Sequence, residues 1–302
     1  MSALAIPGAR SPNMMAPRGS PRLFDATRSA LPGNAFLVST AISPTDQMVQ
    51  EAREVSKRIC AQFVPRGKQS VASMLDSHGA TFGYMVTRRA GRTTVRHELC
   101  RREDNLRLAV NPRMWSRVAS NQGGFRDAPL ARALCPPGTD TPVRVVDATA
   151  GLGGTALRIA ASFQCAVTAL EASAPLASLL HYGMRTLGTD DAPWSAAARC
   201  VTAVHADAAT FDYAVAGGGE RPCCIYLNPC LPIRRAARED LFLQQVASLQ
   251  PISALCLHHA LDTVSQRVVL RVPSDAEANV VHGLRPSLCV TGGQSNYLVF
   301  EK

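Results

Sequence analysis

The chain has 302 residues, 46% of them hydrophobic and 18% charged, enough for about two packed domains and incompatible with a wholly disordered protein. Its longest apolar runs fall far short of the roughly 18 residues that a membrane-crossing helix needs, so no membrane partner is expected. The formal charge of +9 is unevenly placed: residues 1–140 hold 20 Lys+Arg against 10 Asp+Glu, and residues 141–302 hold 12 against 13. A basic front half beside a near-neutral back half points to a polyanion-facing module, nucleic acid above all, next to a catalytic or binding core.

Residues 1–44 contain Arg10, Arg18, Arg22 and Arg28, many Ser and Ala, and one acid, Asp25. That composition is typical of an organellar transit segment, and mitochondrial (matrix) targeting is the expectation. Pro7, Pro12, Pro17, Pro21 and Pro32 interrupt the helix such segments form, so a plain disordered arm is the alternative. Residues 45–135 read as a small basic α+β module. Met48, Ala52, Val55 and Ile59, spaced at three and four, predict a helix over 46–62 that Asp46 caps. A turn through Pro65 and Gly67 leads to a second helix over 70–77, stopped at Gly79. Strands are predicted over 82–86 and 93–97, around a basic turn with Arg88, Arg89 and Arg92. Residues 111–124 end in Gly123 and Gly124, a helix follows over 128–134, and the Pro-rich run 135–142 is a linker by composition. The ten cysteines form no C-x-x-C pair and the seven His are dispersed, so no disulfide framework and no metal site is expected, and the compartment is a reducing one.

Residues 143–302 alternate short apolar strands, predicted over 143–147, 166–170, 200–204, 223–227, 268–272, 288–291 and 297–300, with helices over 155–163, 175–187, 237–250 and 253–263. Such alternation implies an α/β fold, a seven-stranded, mostly parallel sheet covered on both faces. The last two strands are joined only by Gly292, Gly293 and Gln294, which allows an antiparallel hairpin at one edge. This Rossmann-like pattern is that of class I methyltransferases more than of dehydrogenases.

The first of these strands ends in Asp147 and Ala148, followed by Gly151 and Gly153. Glycines after a first strand let the backbone pass close to a ligand. Glu171, at the end of the second strand and 20 residues from the first glycine, is placed to hold both ribose hydroxyls of a nucleoside. NAD and S-adenosylmethionine both fit this pair, and the acid ahead of the glycines favours the latter. Asp207, after the third strand, is placed either for an adenine amine or as a helix cap. Asn228 and Pro229 follow the fourth strand. A carboxamide oxygen and a proline-fixed carbonyl there accept the hydrogens of an amine and aim its lone pair at a methyl donor, which is catalysis by orientation more than by strong base.

The string from Val145 to Gly153, then Leu170 and Glu171, then Tyr226 to Pro232, then Arg267 to Pro273, resembles the RsmJ family of small-subunit ribosomal RNA guanine-N2 methyltransferases over nearly all of residues 143–302. In the front half, Phe63 to Arg66, Asp76 to Gly79, Val86 to Arg89 and Asn111 to Met114 are similar to the amino-terminal module of a related branch of methyltransferase-like proteins. The resemblance implies S-adenosylmethionine as cofactor, held by Asp147, Ala148, Gly151, Gly153, Glu171 and Asp207. It implies ribosomal RNA or a ribosomal precursor particle as partner, with ribosomal proteins or assembly factors as further ones. Asn228 and Pro229 take the catalytic role. Arg234, Arg235, Arg238 and Arg271, with Arg88, Arg89 and Arg92, are candidate RNA contacts. The chain departs from the family at Leu231, where an aromatic residue is usual. A methyltransferase-like protein without turnover, binding a ribosomal precursor as an assembly factor, is the alternative function.

Overall fold

The computed structural model describes residues 35–88, 94–110, 128–135, 138, 144–189, 194–216, 221–229, 238–247, 252–275, 280–293 and 295–302. Most of the arm, Arg89, Arg92, residues 111–114, most of the linker 135–142, and the stretch with Leu231, Arg234 and Arg235 lie outside these.

The front unit is a five-stranded sheet built on β1 (Phe36–Thr40), whose last four residues are buried. β1 runs parallel to β2 (Gln62–Phe63) and to β3 (Phe82–Arg88); β4 (Val95–Arg101) and β5 (Arg107–Leu108) continue antiparallel, giving the order β2-β1-β3-β4-β5. β1 falls inside the stretch 1–44 that composition assigns to an arm, so the ordered module starts by residue 35. Five residues of strand set in Ser- and Pro-rich text are too few for composition to report. The helix expected over 46–62 is α1 (Asp46–Arg58), and its cap is Thr45, whose side chain accepts the Met48 N–H at 3.3 Å; Asp46 is the first helical residue. It stops early because Cys60 takes a left-handed φ of 51° and Gln62 and Phe63 leave to pair with Leu37 and Val38. α2 (Val71–Ser77) begins at Ser70, whose hydroxyl accepts the Ser73 N–H at 3.0 Å. α1 covers Val38, Tyr84 and Val86 on one face of the sheet, and α2 covers Leu37, Met85 and Cys100 on the other.

After α3 (Pro129–Leu134), the back unit places β6 (Arg144–Asp147), β7 (Ala166–Glu171), β8 (Val201–His205), β9 (Cys224–Leu227) and β10 (Arg267–Pro273) in parallel. β11 (Leu288–Thr291) and β12 (Ser295–Glu301) form the expected antiparallel hairpin, with β12 inserted beside β10; the order is β11-β12-β10-β9-β6-β7-β8. The helices are α4 (Gly154–Phe163), α5 (Ala174–Thr189), α6 (Ser195–Arg199), α7 (Tyr213–Ala216), α8 (Arg238–Val246) and α9 (Ala254–Thr263). Strand alternation sorts the core into two layers. Val145, Tyr226, Val269 and Val299 face α3, α4 and part of α5. Val146, Ile225, Val268 and Leu298 face α7 and α9. Cys224 and Cys256 are buried in these layers as small hydrophobes. α6 and α7, of five and four residues, are too short to show a period in the sequence. No helix among the described residues is long and apolar enough to cross a membrane.

The two units share one core. Leu176, Leu179 and Tyr182 of α5 and Phe242 and Val246 of α8 pack into the cluster of α1, β3 and β4, with Phe82 and Phe242 stacked at 5.6 Å. A buried polar network crosses the same seam. The His97 ring stacks on Tyr182 at 4.0 Å and donates from Nε2 to Glu51 Oε2 at 2.8 Å, while the Tyr84 hydroxyl donates to its Nδ1 at 3.1 Å. Arg185 of α5 donates to the other Glu51 oxygen, and Tyr182 donates to Glu54 at 3.0 Å. Burial alone would raise the Glu51 carboxyl, but the hydrogen bonds from His97 and Gln47 and the nearby positive charge outweigh it and hold the group at about 2. Burial pushes His97 down, which keeps the imidazole neutral in the tautomer with Nε2–H toward the carboxylate.

Candidate active site

The carboxyl ends of β6, β7 and β9 meet at one end of the large sheet, which is where open α/β sheets bind ligands. Asp147 closes β6 at 1% exposure. Its Oδ1 accepts the Thr149 N–H at 3.4 Å, and its buried Oδ2 has no hydrogen-bond partner among the described residues. Burial pushes the carboxyl up to about 7; the N–H groups of Thr149 and, from the first turn of α4, Ala156 oppose this, and the charge of Glu171 adds to it. A buried, unsatisfied carboxyl oxygen is costly unless something completes it, and a ligand that brings a hydrogen-bond donor or a positive charge would do so.

Glu171 ends β7 and is also buried. Its Oε2 accepts the Gly151 N–H at 2.9 Å and its Oε1 accepts the Ser173 N–H at 2.8 Å, so one carboxylate braces the glycine loop and the entry to α5. Burial raises its pKa and these N–H groups oppose the rise. Each carboxylate oxygen keeps further acceptor capacity for a ligand hydroxyl. Gly151 and Gly153 have φ of 56° and 77°. At Gly153 the requirement is double, because a Cβ would collide with Leu180 Cδ1 and lie 2.5 Å from Met184 Cε. Ala148 is buried and donates its N–H to the Tyr226 carbonyl at 2.9 Å, holding the loop to β9.

The loop after β9 is tied to the glycine loop directly: the Asn228 N–H donates to Thr149 Oγ1 at 2.6 Å. Asn228 Oδ1 accepts from Arg271 Nη1 at 3.1 Å, and Arg271 Nε donates to Ser295 Oγ at 2.8 Å. The carboxamide is thereby fixed with its oxygen in a defined place and one acceptor position still open. Pro229 follows, half-buried.

The structure thus brings Asp147, Ala148, Gly151, Gly153, Glu171, Asn228, Pro229 and Arg271 together. Asp207 sits exposed two residues past β8, next to β7 in the sheet, with Oδ1 on the Ala209 N–H at 2.9 Å. Of the proposed RNA contacts, Arg271 stands inside the site. Arg238 donates to Asp104 of the front unit at 2.6 Å, and Asp104 is also held by Arg101 at 2.6 Å. Arg88 is exposed at the end of β3. Arg234, Arg235, Arg89 and Arg92 lie outside the described residues. Sequence reasoning missed Thr149, which holds Asn228, and Ser295 and Tyr297 of β12 and Arg158 of α4, which the fold gathers beside Arg271. Thr149 stands inside the recognised loop string and was within reach; the others carry no local signal.

The model of the SAM-dependent methyltransferase family matches residues 102–302. "Ribosomal RNA small subunit methyltransferase J" of Pseudomonas aeruginosa is 32% identical over 167 residues, 53% of this chain and 60% of that protein. The Chromobacterium violaceum protein of the same name is 31% identical over 189 residues, 60% of this chain and 70% of its own length. The match therefore spans 60% and 70% of the length of these two relatives. A crystal structure of a SAM-dependent methyltransferase from Neisseria gonorrhoeae superposes with a TM-score of 0.58 at 21% identity, over 88% of this chain and 95% of that one, a likeness of fold.

Proposed function

The chain belongs to the SAM-dependent methyltransferase family, and on that premise we propose that it methylates the exocyclic N2 amine of a guanine in small-subunit ribosomal RNA, with S-adenosylmethionine as its cofactor. The observation that carries this reading is the buried Asp147 with its unsatisfied oxygen, beside a Glu171-braced glycine loop to which Asn228 is hydrogen-bonded. The cofactor supplies an electrophilic methyl group on a sulfonium centre.

Asp147 answers its positive charge, Glu171 its ribose hydroxyls, and Asp207 its adenine amine. Gly151 and Gly153 let the backbone pass close enough for that fit. Asn228 Oδ1 and the Pro229 carbonyl accept the hydrogens of the target amine, which turns its lone pair toward the methyl group. Arg271 keeps the Asn228 oxygen in place for this. As the N–CH3 bond forms and the S–CH3 bond breaks, the sulfonium leaves as a neutral thioether; the methylated amine, then positively charged, loses its proton to solvent water, so no strongly shifted general base is needed. The names of the relatives and the basic front half support ribosomal RNA as substrate. The composition of residues 1–44 supports action in the mitochondrial matrix; a fluorescent fusion that stays cytosolic with those residues attached contradicts it.

Calorimetric titration with S-adenosylmethionine, paired with a methyl-transfer assay, tests the roles. Asp147→Ala and Glu171→Ala are expected to weaken cofactor binding by roughly tenfold or more, the worth of a charge-assisted contact. Asn228→Ala is expected to bind cofactor normally and lose transfer. Undiminished transfer by Asn228→Ala removes the assigned role.

A further inference from the structure

Beside Arg271, on the face of the sheet that carries α3 and α4, lies a cleft of about 230 Å³. Pro129, Arg158, Arg271, Gly292, Ser295 and Tyr297 line it. It is small beside the roughly 300–1,000 Å³ of pockets for drug-sized ligands, and matches a single planar ring system better than an extended chain. One wall is continuous with the candidate catalytic group, because Arg271 bonds both Asn228 Oδ1 and Ser295 Oγ. Tyr297 pairs with Arg271 across the β10–β12 ladder, so the two side chains stand on the same face of the sheet. The hairpin is tightly made at this point. A Cβ on Gly292 would lie 2.5 Å from the Ser295 carbonyl oxygen, 3.5 Å from Tyr297 Cε2 and 3.6 Å from Pro129 Cβ, so the ring is held next to the start of α3. Tyr297 is half-buried and is the aromatic residue of the lining.

We propose that this cleft receives the flipped target base, with Tyr297 as its stacking face and the guanidinium groups of Arg158 and Arg271 as readers of its edge. The inference rests on the methyl-transfer reading for what happens next to the base, and on the cleft itself for the binding. A base taken out of its stack needs a π-face to replace its lost neighbours and polar groups to identify it. Arg side chains only donate. They match the O6 and N7 acceptors of guanine and oppose the exocyclic amine that adenine carries at the same edge.

The test uses the full chain and a single-stranded RNA containing 6-thioguanosine, photocrosslinked and mapped by peptide mass spectrometry. Adducts are expected on β12 at Tyr297. Tyr297→Ala is expected to lose them and to weaken RNA binding and kcat/KM for transfer by about five- to a hundredfold, with cofactor affinity unchanged; Tyr297→Phe keeps most of both. Adducts that map away from the β11–β12 hairpin overturn the proposal, as does Tyr297→Ala behaving like the parent protein. Adducts at Tyr297 without methyl transfer to any RNA leave the cleft as a base site and refute the methyltransferase reading instead.

Discussion

Asp147 gives the sharpest test of how the site is built, because the feature that suits it to a cationic ligand costs the empty protein stability. Its carboxyl stands at about 7 in the fold, against an ordinary 3.8 in the unfolded chain. A group raised in this way favours the folded state while it is protonated, and that contribution is lost as the pH rises from about 4 through 7. The shift of about three units, at roughly 1.4 kcal/mol each, amounts to about 4 kcal/mol withheld from the empty protein above neutrality. Asp147→Asn keeps an acceptor for the Thr149 N–H and removes the charge. Urea unfolding of parent and variant, at pH values from about 5 to about 8, then shows the variant gaining on the parent by roughly 1.4 kcal/mol per unit up to about 7, and by a constant amount beyond. The same variant loses affinity for S-adenosylmethionine, and in the parent that affinity falls as the pH drops below about 7, when the carboxylate protonates. A stability difference that does not change with pH refutes the argument, as does a variant that binds cofactor as the parent does.

Further predictions come from backbone and seam. Gly153→Ala combines a φ of 77° with a collision against Leu180 and Met184, and should cost roughly 2–4 kcal/mol in urea unfolding; an unchanged midpoint rejects the strain assigned to this loop. Gly183→Ala puts a Cβ into Val110, so the substitution should destabilise by roughly 1–3 kcal/mol despite the better helix propensity of Ala, and a raised melting temperature shows that Val110 yields. Glu51→Gln leaves Arg185 and His97 without their anion and should cost roughly 1–3 kcal/mol at neutral pH. The Glu51 carboxyl is held at about 2 against an ordinary 4.5, so the stability it contributes is present above pH 4.5 and is lost as the pH falls toward 2. Acid unfolding of Glu51→Gln should lack that loss, and coincident acid limbs count against the network.

The back half of the fold was legible because each element carries its own signal. Val145, Val146 and Asp147, then the glycines, announce a strand feeding a ligand loop, and the short Gly292–Gly293 link announces the hairpin that the ladder between β11 and β12 realises. Asp147, Glu171 and Asn228 were legible for the same reason, each standing at the end of a strand where chemistry collects. What stayed hidden depends on pairing between distant segments. β1 is a central strand because β2 and β3 flank it, a fact with no trace in residues 36–40 themselves. Tyr297 is placed beside Arg271 by register across 26 positions of chain, and Arg158 reaches the same cleft from a helix whose period says only that it is amphipathic. His97 reads in sequence as one dispersed histidine, yet it anchors the seam because α5 brings Tyr182 onto its ring. Arg238, part of a basic run in sequence, is engaged by Asp104 in the fold.

The central claim is methyl transfer, and the direct measurement is incubation of the full chain with tritiated S-adenosylmethionine and deproteinised small-subunit ribosomal RNA, followed by digestion to nucleosides. The account predicts label in N2-methylguanosine, abolished by Asn228→Ala and retained on the same nucleoside in Tyr297→Phe. Saturable cofactor binding with no label in any nucleoside, on free RNA or on precursor particles, contradicts it and makes an RNA-binding assembly role the better description of this fold.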